Sequence, residues 1–104
     1  MSKSKVINIT DKLSDEKPVI VAGEKEYEVN ASMETVLKFE ELAAESTAES
    51  FKSAFNIALG EEATKELKLT KMSLANMKVW MIAIMAAMQG MEYEEAEARF
   101  RKSF

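Results

Sequence analysis

Any chemistry in this 104-residue chain must come from carboxylates, lysines and hydroxyls, because the sequence contains no cysteine and no histidine. That absence excludes disulfides, thiol and imidazole nucleophiles, and the ligands that zinc and redox metals prefer. A calcium or magnesium site would need clustered carboxylates such as those of an EF-hand loop, and that spacing does not occur. We therefore expect a protein that is not an enzyme and that uses no metal and no cofactor.

The charged residues give a second indication about partners. Four glutamates cluster at Glu40, Glu41, Glu45 and Glu49, and a partner with a basic helix could use that face. A solvated helix face is the simpler interpretation, and we adopt it. The net charge of −4 disfavours binding to phosphate backbones, so nucleic acid is not an expected partner.

The most apolar part of the chain is the segment 73–89, which Ser73 should cap and Gly90 should end. Its unbroken apolar run, residues 79–88, is about half as long as a membrane span requires, so we do not expect a membrane protein. An apolar surface on all sides of a helix in water instead predicts contacts on every side, within the fold or with another subunit.

Six of the eight methionines lie between positions 72 and 91. Methionine is flexible and polarizable, which suits surfaces that repack against varied partners. We expect Val79, Trp80, Ile82 and Ile84 in the core and leave core and interface open for the methionine side. With the apolar face of the last helix, the candidate partner-binding or oligomer-interface residues are Met77, Met81, Met85, Met88, Tyr93, Phe100 and Phe104. This apolar area predicts a homo-oligomer.

Upstream of these residues the sequence predicts a β-hairpin. Residues 19–22 are mostly β-branched, Gly23 marks a turn, and the alternation over 26–29 points Tyr27 and Val29 inward. Since a two-stranded hairpin is marginal alone, its apolar face must pack on helices or pair with 6–9 as a third strand.

Helical periodicity begins after Ser32, a predicted N-cap, and gives a helix over 33–45. Its apolar positions are Met33, Val36, Leu37, Phe39, Leu42 and Ala43. A capping box at 46–49, with Ser46 as N-cap, opens a second helix that ends at Gly60. A short helix over 61–67, the segment 73–89 and an amphipathic helix over 92–102 complete the pattern.

These elements predict an α+β, mainly α, fold in which the N-terminal hairpin packs on four to five helices around a central apolar helix. The length favours a single domain over 1–104, β-rich over 1–30 and helical over 31–104. The apolar run at 6–9 is too short for the core of a signal peptide, so we expect a cytoplasmic protein.

The chain resembles the tail assembly chaperones of long-tailed, siphovirus-type phages and prophages of Gram-positive bacteria. The residues that carry the resemblance are ITDKL at 9–13, GEKEYEVN at 23–30, ETVLKFEEL at 34–42, IAIMAAMQG at 82–90 and YEEAEARF at 93–100. The match extends over nearly the whole length, and none of its motifs is catalytic.

The resemblance implies a viral chaperone that binds the tape measure protein, keeps it soluble during tail morphogenesis in the host bacterial cytoplasm, and is absent from the finished virion. It also implies a frameshift-extended form of the chain and the tail tube protein as further partners. An alternative is a small homo-oligomeric regulatory adaptor that binds a phage or host enzyme. A third hypothesis, a weak carboxylate-based hydrolase, requires acids that converge in a pocket.

Overall fold

The structure is a computed structural model that describes residues 4–103, and it is mainly helical with a two-stranded N-terminal hairpin. The elements in chain order are β1 (Val19–Ala22), β2 (Lys25–Glu28), α1 (Met33–Glu45), α2 (Ala48–Leu59), α3 (Glu61–Leu67), α4 (Leu74–Gln89) and α5 (Tyr93–Ser103). The predicted α+β, mainly α, fold class is confirmed.

The hairpin is antiparallel, and its register places Ile20 opposite Tyr27. Gly23, with a φ of +66°, takes the first position of the turn, where the left-handed backbone favours glycine. Tyr27 meets the ring of Trp80 on α4 edge to face, with ring centroids 5.3 Å apart. Val29, just after β2, is completely buried. The inward orientation predicted for Tyr27 and Val29 is therefore confirmed.

The alternative of a third strand at 6–9 is wrong for the single chain, since the sheet of the described residues has two strands. The Asn8 side chain accepts hydrogen bonds from the backbone N–H of Thr10, at 3.0 Å, and from its hydroxyl, at 2.7 Å. A single turn of 3-10 helix follows at Thr10–Lys12. These local bonds form a turn at Asn8, and the segment 6–9 does not pair with the hairpin.

Side-chain caps fix where the helices begin. Ser32 accepts from the N–H of Thr35, and Ser73 accepts from the N–H of Asn76, as predicted. The prediction for Ser46 is wrong, because it ends α1 in a left-handed conformation with a φ of +53°. Thr47 caps α2 instead and exchanges capping-box hydrogen bonds with Ser50.

On α1, fewer apolar side chains are buried than the apolar periodicity predicted. Phe39, Leu42 and Ala43 are buried, whereas Met33 and Leu37 are exposed. At 100° per residue, Leu37 projects about 160° away from Phe39 around the helix axis. The two exposed residues therefore do not belong to the face that we predicted.

The core surrounds the second half of α4, where Ile82 and Ile84 are buried as predicted. Trp80 is half-buried. Val79 is 49% exposed, so its predicted place in the core is wrong. The first two turns of α4 line a groove that no other part of the described chain fills, whereas side chains of α1, α2 and α5 join the buried cluster around the later turns.

Candidate functional site

A groove of about 650 Å³ opens between the first half of α4, the start of α2 and α5. Its walls are mainly apolar and come from three helices: Phe51 from α2, Met77 and Val79 from α4, and Tyr93 and Phe100 from α5. Concave apolar surfaces of this size on small proteins are the usual places for a ligand or a partner side chain. The groove is therefore the candidate functional site.

The groove brings together four of the seven residues that the sequence singled out. Met77 and Tyr93 are half-buried on its walls, and Met81 and Phe100 form buried parts of its floor. Met85 and Met88 are buried in the core away from it. Phe104 lies outside the described residues.

Burial limits which of these side chains a partner can touch. Met81 is 1% exposed, and Met85 and Met88 are also buried within the single chain. Met81 forms the floor of the groove with almost no exposed surface, and a partner that approached Met85 or Met88 would first have to displace neighbouring helices. Contact with a partner therefore falls to the more exposed residues of the groove.

Sequence reasoning did not assign Phe51 and Val79 to the site, although both line the groove and are at least partly exposed. Phe51 has the spacing of a core residue on α2, and Val79 stands inside the apolar run of α4. Only the packing of α2 and α5 shows that α4 is covered over its second half and open over its first.

Charged groups stand at the rim of the groove. Arg101 and Glu97 form an ion pair one helical turn apart, at 3.5 Å, and Lys78 faces them from α4. Burial, with a smaller effect from the Glu97 carboxylate, raises the pKa of the Tyr93 phenol above its ordinary value. Tyr93 therefore stays neutral at physiological pH and offers an apolar ring with one hydroxyl.

The polar groups that line the groove can contribute to binding a partner. The Ser46 hydroxyl donates to the carbonyl of Ala43 at 3.1 Å, so it is already engaged in closing α1. Among residues 4–103, no three acidic side chains lie close enough together to hold a metal ion. The arrangement can accept an apolar side chain or helix face, with charged groups at its edge to orient it.

A second concavity, of about 580 Å³, lies beside α3 and is basic. Lys52, Lys65, Lys68 and Lys71 line it, with Glu61 as the acidic member. Binding there would depend on charge and would weaken in salt, unlike binding in the apolar groove. The four glutamates of the acidic cluster, Glu40, Glu41, Glu45 and Glu49, are all exposed, as a solvated face requires.

No helix in residues 4–103 has both the length and the apolar character needed to cross a membrane. No protein family, no curated protein and no solved structure gives a significant match to this chain. Its function must therefore be inferred from the groove and from the sequence itself.

Proposed function

We propose that the chain is a non-enzymatic phage tail assembly chaperone that binds the tape measure protein and keeps it soluble while the tail is built. The site of action is the host bacterial cytoplasm, and the chaperone is absent from the finished virion. The further partners in this proposal are copies of the chain itself, a frameshift-extended form of it and the tail tube protein.

The observation that carries the proposal is the apolar groove between α2, α4 and α5. Phe51, Met77, Val79 and Tyr93 offer apolar surface from three helices without a built polar site between them. An amphipathic helix binds such a groove by laying its apolar side chains into it. A tape measure protein is a long helical client, so its apolar faces have the chemistry that the groove accepts.

The side chains in the groove also favour a client with varied sequence. Met77 has three rotatable bonds and can adapt to different apolar side chains, while the Tyr93 ring gives a rigid wall. A surface of this kind discriminates weakly between related helices. A chaperone that must hold many turns of one long helix needs that tolerance more than it needs a fixed recognition sequence.

Co-purification at two salt concentrations tests the proposal. The full chain is co-expressed with the tape measure protein encoded beside it, and the amount of client retained is measured at about 0.1 M and about 1 M salt, where the Debye length falls from about 10 Å to about 3 Å. We expect the complex to survive at both concentrations, because apolar contacts are not screened.

Two results would contradict the proposal. Loss of the client at high salt would assign binding to a charged surface such as the basic concavity at Lys65 and Lys68. Failure to retain the tape measure protein, with stoichiometric recovery of one compact enzyme, would favour the regulatory adaptor. A client of matched length but without apolar helical faces serves as the negative control.

A further inference from the structure

The first residues that the structure describes form an arm, residues 4–17, that carries apolar side chains in an exposed position. Val6 is 87% exposed, Ile7 71% and Leu13 70%. Apart from the single 3-10 turn, the arm contains no helix or strand. The molecule reaches 66 Å along its longest axis and has a radius of gyration of 16.5 Å, against about 13 Å for a compact chain of this length.

The solvent-accessible surface area of the chain is also larger than that of a compact protein of the same mass. The chain exposes 7973 Å², whereas a compact protein of this mass keeps about 5,900 Å². The difference is about 2,000 Å², and a standard protein–protein interface buries about 800 Å² on each partner. The extended chain therefore has enough surplus surface for a stable contact between two copies.

The hairpin offers one uncharged edge. On the β2 side, the KEYE sequence places three charged residues on the edge, and Lys25 pairs with Glu66 on α3. On the β1 side, the described residues add no third strand. β1 packs on α4 but carries no charge, so its edge is the one suited to accept a further strand.

The alternation of hydrogen-bonded and non-hydrogen-bonded pairs in the hairpin shows which backbone groups of β1 point away from β2. The N–H of Val29 donates to the carbonyl of Pro18, so Pro18, Ile20 and Ala22 are the positions of β1 that pair with β2. The backbone groups of Val19 and Val21 then point to the open side. Edge strands are usually protected by charges, bulges or internal prolines, and the VIVA sequence of β1 contains none of these.

We propose that the arm of one copy pairs as a third strand with the β1 edge of a second copy. The segment 6–9 has the β-branched composition of a strand and no partner in its own chain. The β1 edge lacks a strand, and a two-stranded hairpin gains most from a third. Backbone hydrogen bonds would supply affinity, as in other cases of strand addition.

The side chains agree with this pairing. Val19 and Val21 lie on the outer face of the hairpin and are exposed. In the paired strand, with Ile9 extended, Ile7 and Ile9 would share one face, because successive side chains of a strand alternate. Placed beside β1, these two isoleucines extend the face of the two valines and bury apolar area on both chains.

The partner is a second copy because, in its own chain, the arm leaves the β1 edge without a third strand and keeps Val6 and Ile7 exposed. Pairing with a second copy requires Ile9, whose ψ is 7°, to become extended. This contact is independent of the client groove, so either proposal can fail alone.

Sedimentation over a wide concentration range measures the association. The double variant Ile7→Lys/Ile9→Lys is expected to weaken association about tenfold or more, because two charges replace the side chains that would be buried. The matched control, Met33→Lys/Leu37→Lys, changes two exposed apolar residues of α1 by the same charge and should associate as the wild type does. A wild type that stays monomeric throughout, or an arm variant that associates unchanged, overturns the proposal.

Disulfide trapping identifies the contact itself, and the absence of native cysteine makes single-cysteine variants clean probes. Chains with Ile7→Cys or Ile9→Cys are mixed with chains carrying Val21→Cys under mild oxidation. We expect more cross-linked heterodimer than in a mixture of Met33→Cys and Val21→Cys. Equal yields overturn the proposal, as does preferential cross-linking of the arm to Val79→Cys in the groove.

Discussion

Replacing Met81 by Glu is expected to lower the free energy of unfolding of this protein by about 4 kcal/mol or more. Met81 is 1% exposed on the part of α4 that the core surrounds. A carboxylate placed there has no partner and loses its hydration, which costs about 4 kcal/mol or more. Domains of this size are stable by about 5–15 kcal/mol, so that cost removes much or all of the free energy of unfolding.

Thermal and urea unfolding followed by circular dichroism check this expectation. The control is Val79→Glu, which makes the same substitution two residues earlier on the same helix, at a position that is 49% exposed. The free energy of unfolding of that variant should lie within about 0.5 kcal/mol of the wild-type value. If Met81→Glu retains a sharp transition near that of the wild type, Met81 is not in the core and the packing described for α4 is wrong.

The contrast between Met81 and Val79 also shows what the sequence could predict. Ser73 and Gly90 mark the ends of α4 because capping is local chemistry, and the structure confirms both. Apolar character on all sides of a helix gives no sign of which turns are covered. That depends on where α2 and α5 cross α4, which is a property of the whole chain.

The other differences have similar causes. Ser46 and Thr47 are adjacent residues that can both cap a helix, and the bonds with Ser50 decide for Thr47. The segment 6–9 has the β-branched composition of a strand, but composition does not show which strand it would pair with. Of the candidate site, the sequence supplied Met77, Met81, Tyr93 and Phe100, while Phe51 and Val79 required the tertiary structure.

The second large effect concerns the groove. Val79→Glu is expected to reduce binding of the tape measure protein by about tenfold to a hundredfold, because it places a carboxylate where the client's apolar side chains would lie. The fold should persist, so the weaker binding would result from poorer complementarity between the groove and the client. Binding of a purified client segment, measured by titration calorimetry, gives the dissociation constant directly.

The matched control for this effect is Leu37→Glu. Leu37 is as exposed as the groove residue Leu74, but it lies on α1 and does not line the groove. It adds the same charge and should leave the dissociation constant unchanged. Equal losses in the two variants would show that added negative charge, and not the groove, governs binding.

The soluble yield of the tape measure protein is the most direct measure of chaperone function. It is measured after expression alone, with the wild-type chain, with Val79→Glu and with Leu37→Glu. We expect the client to be mostly insoluble alone and with Val79→Glu, and soluble with the wild type and with Leu37→Glu. A tape measure protein that is equally soluble in all four cultures would contradict the proposed function.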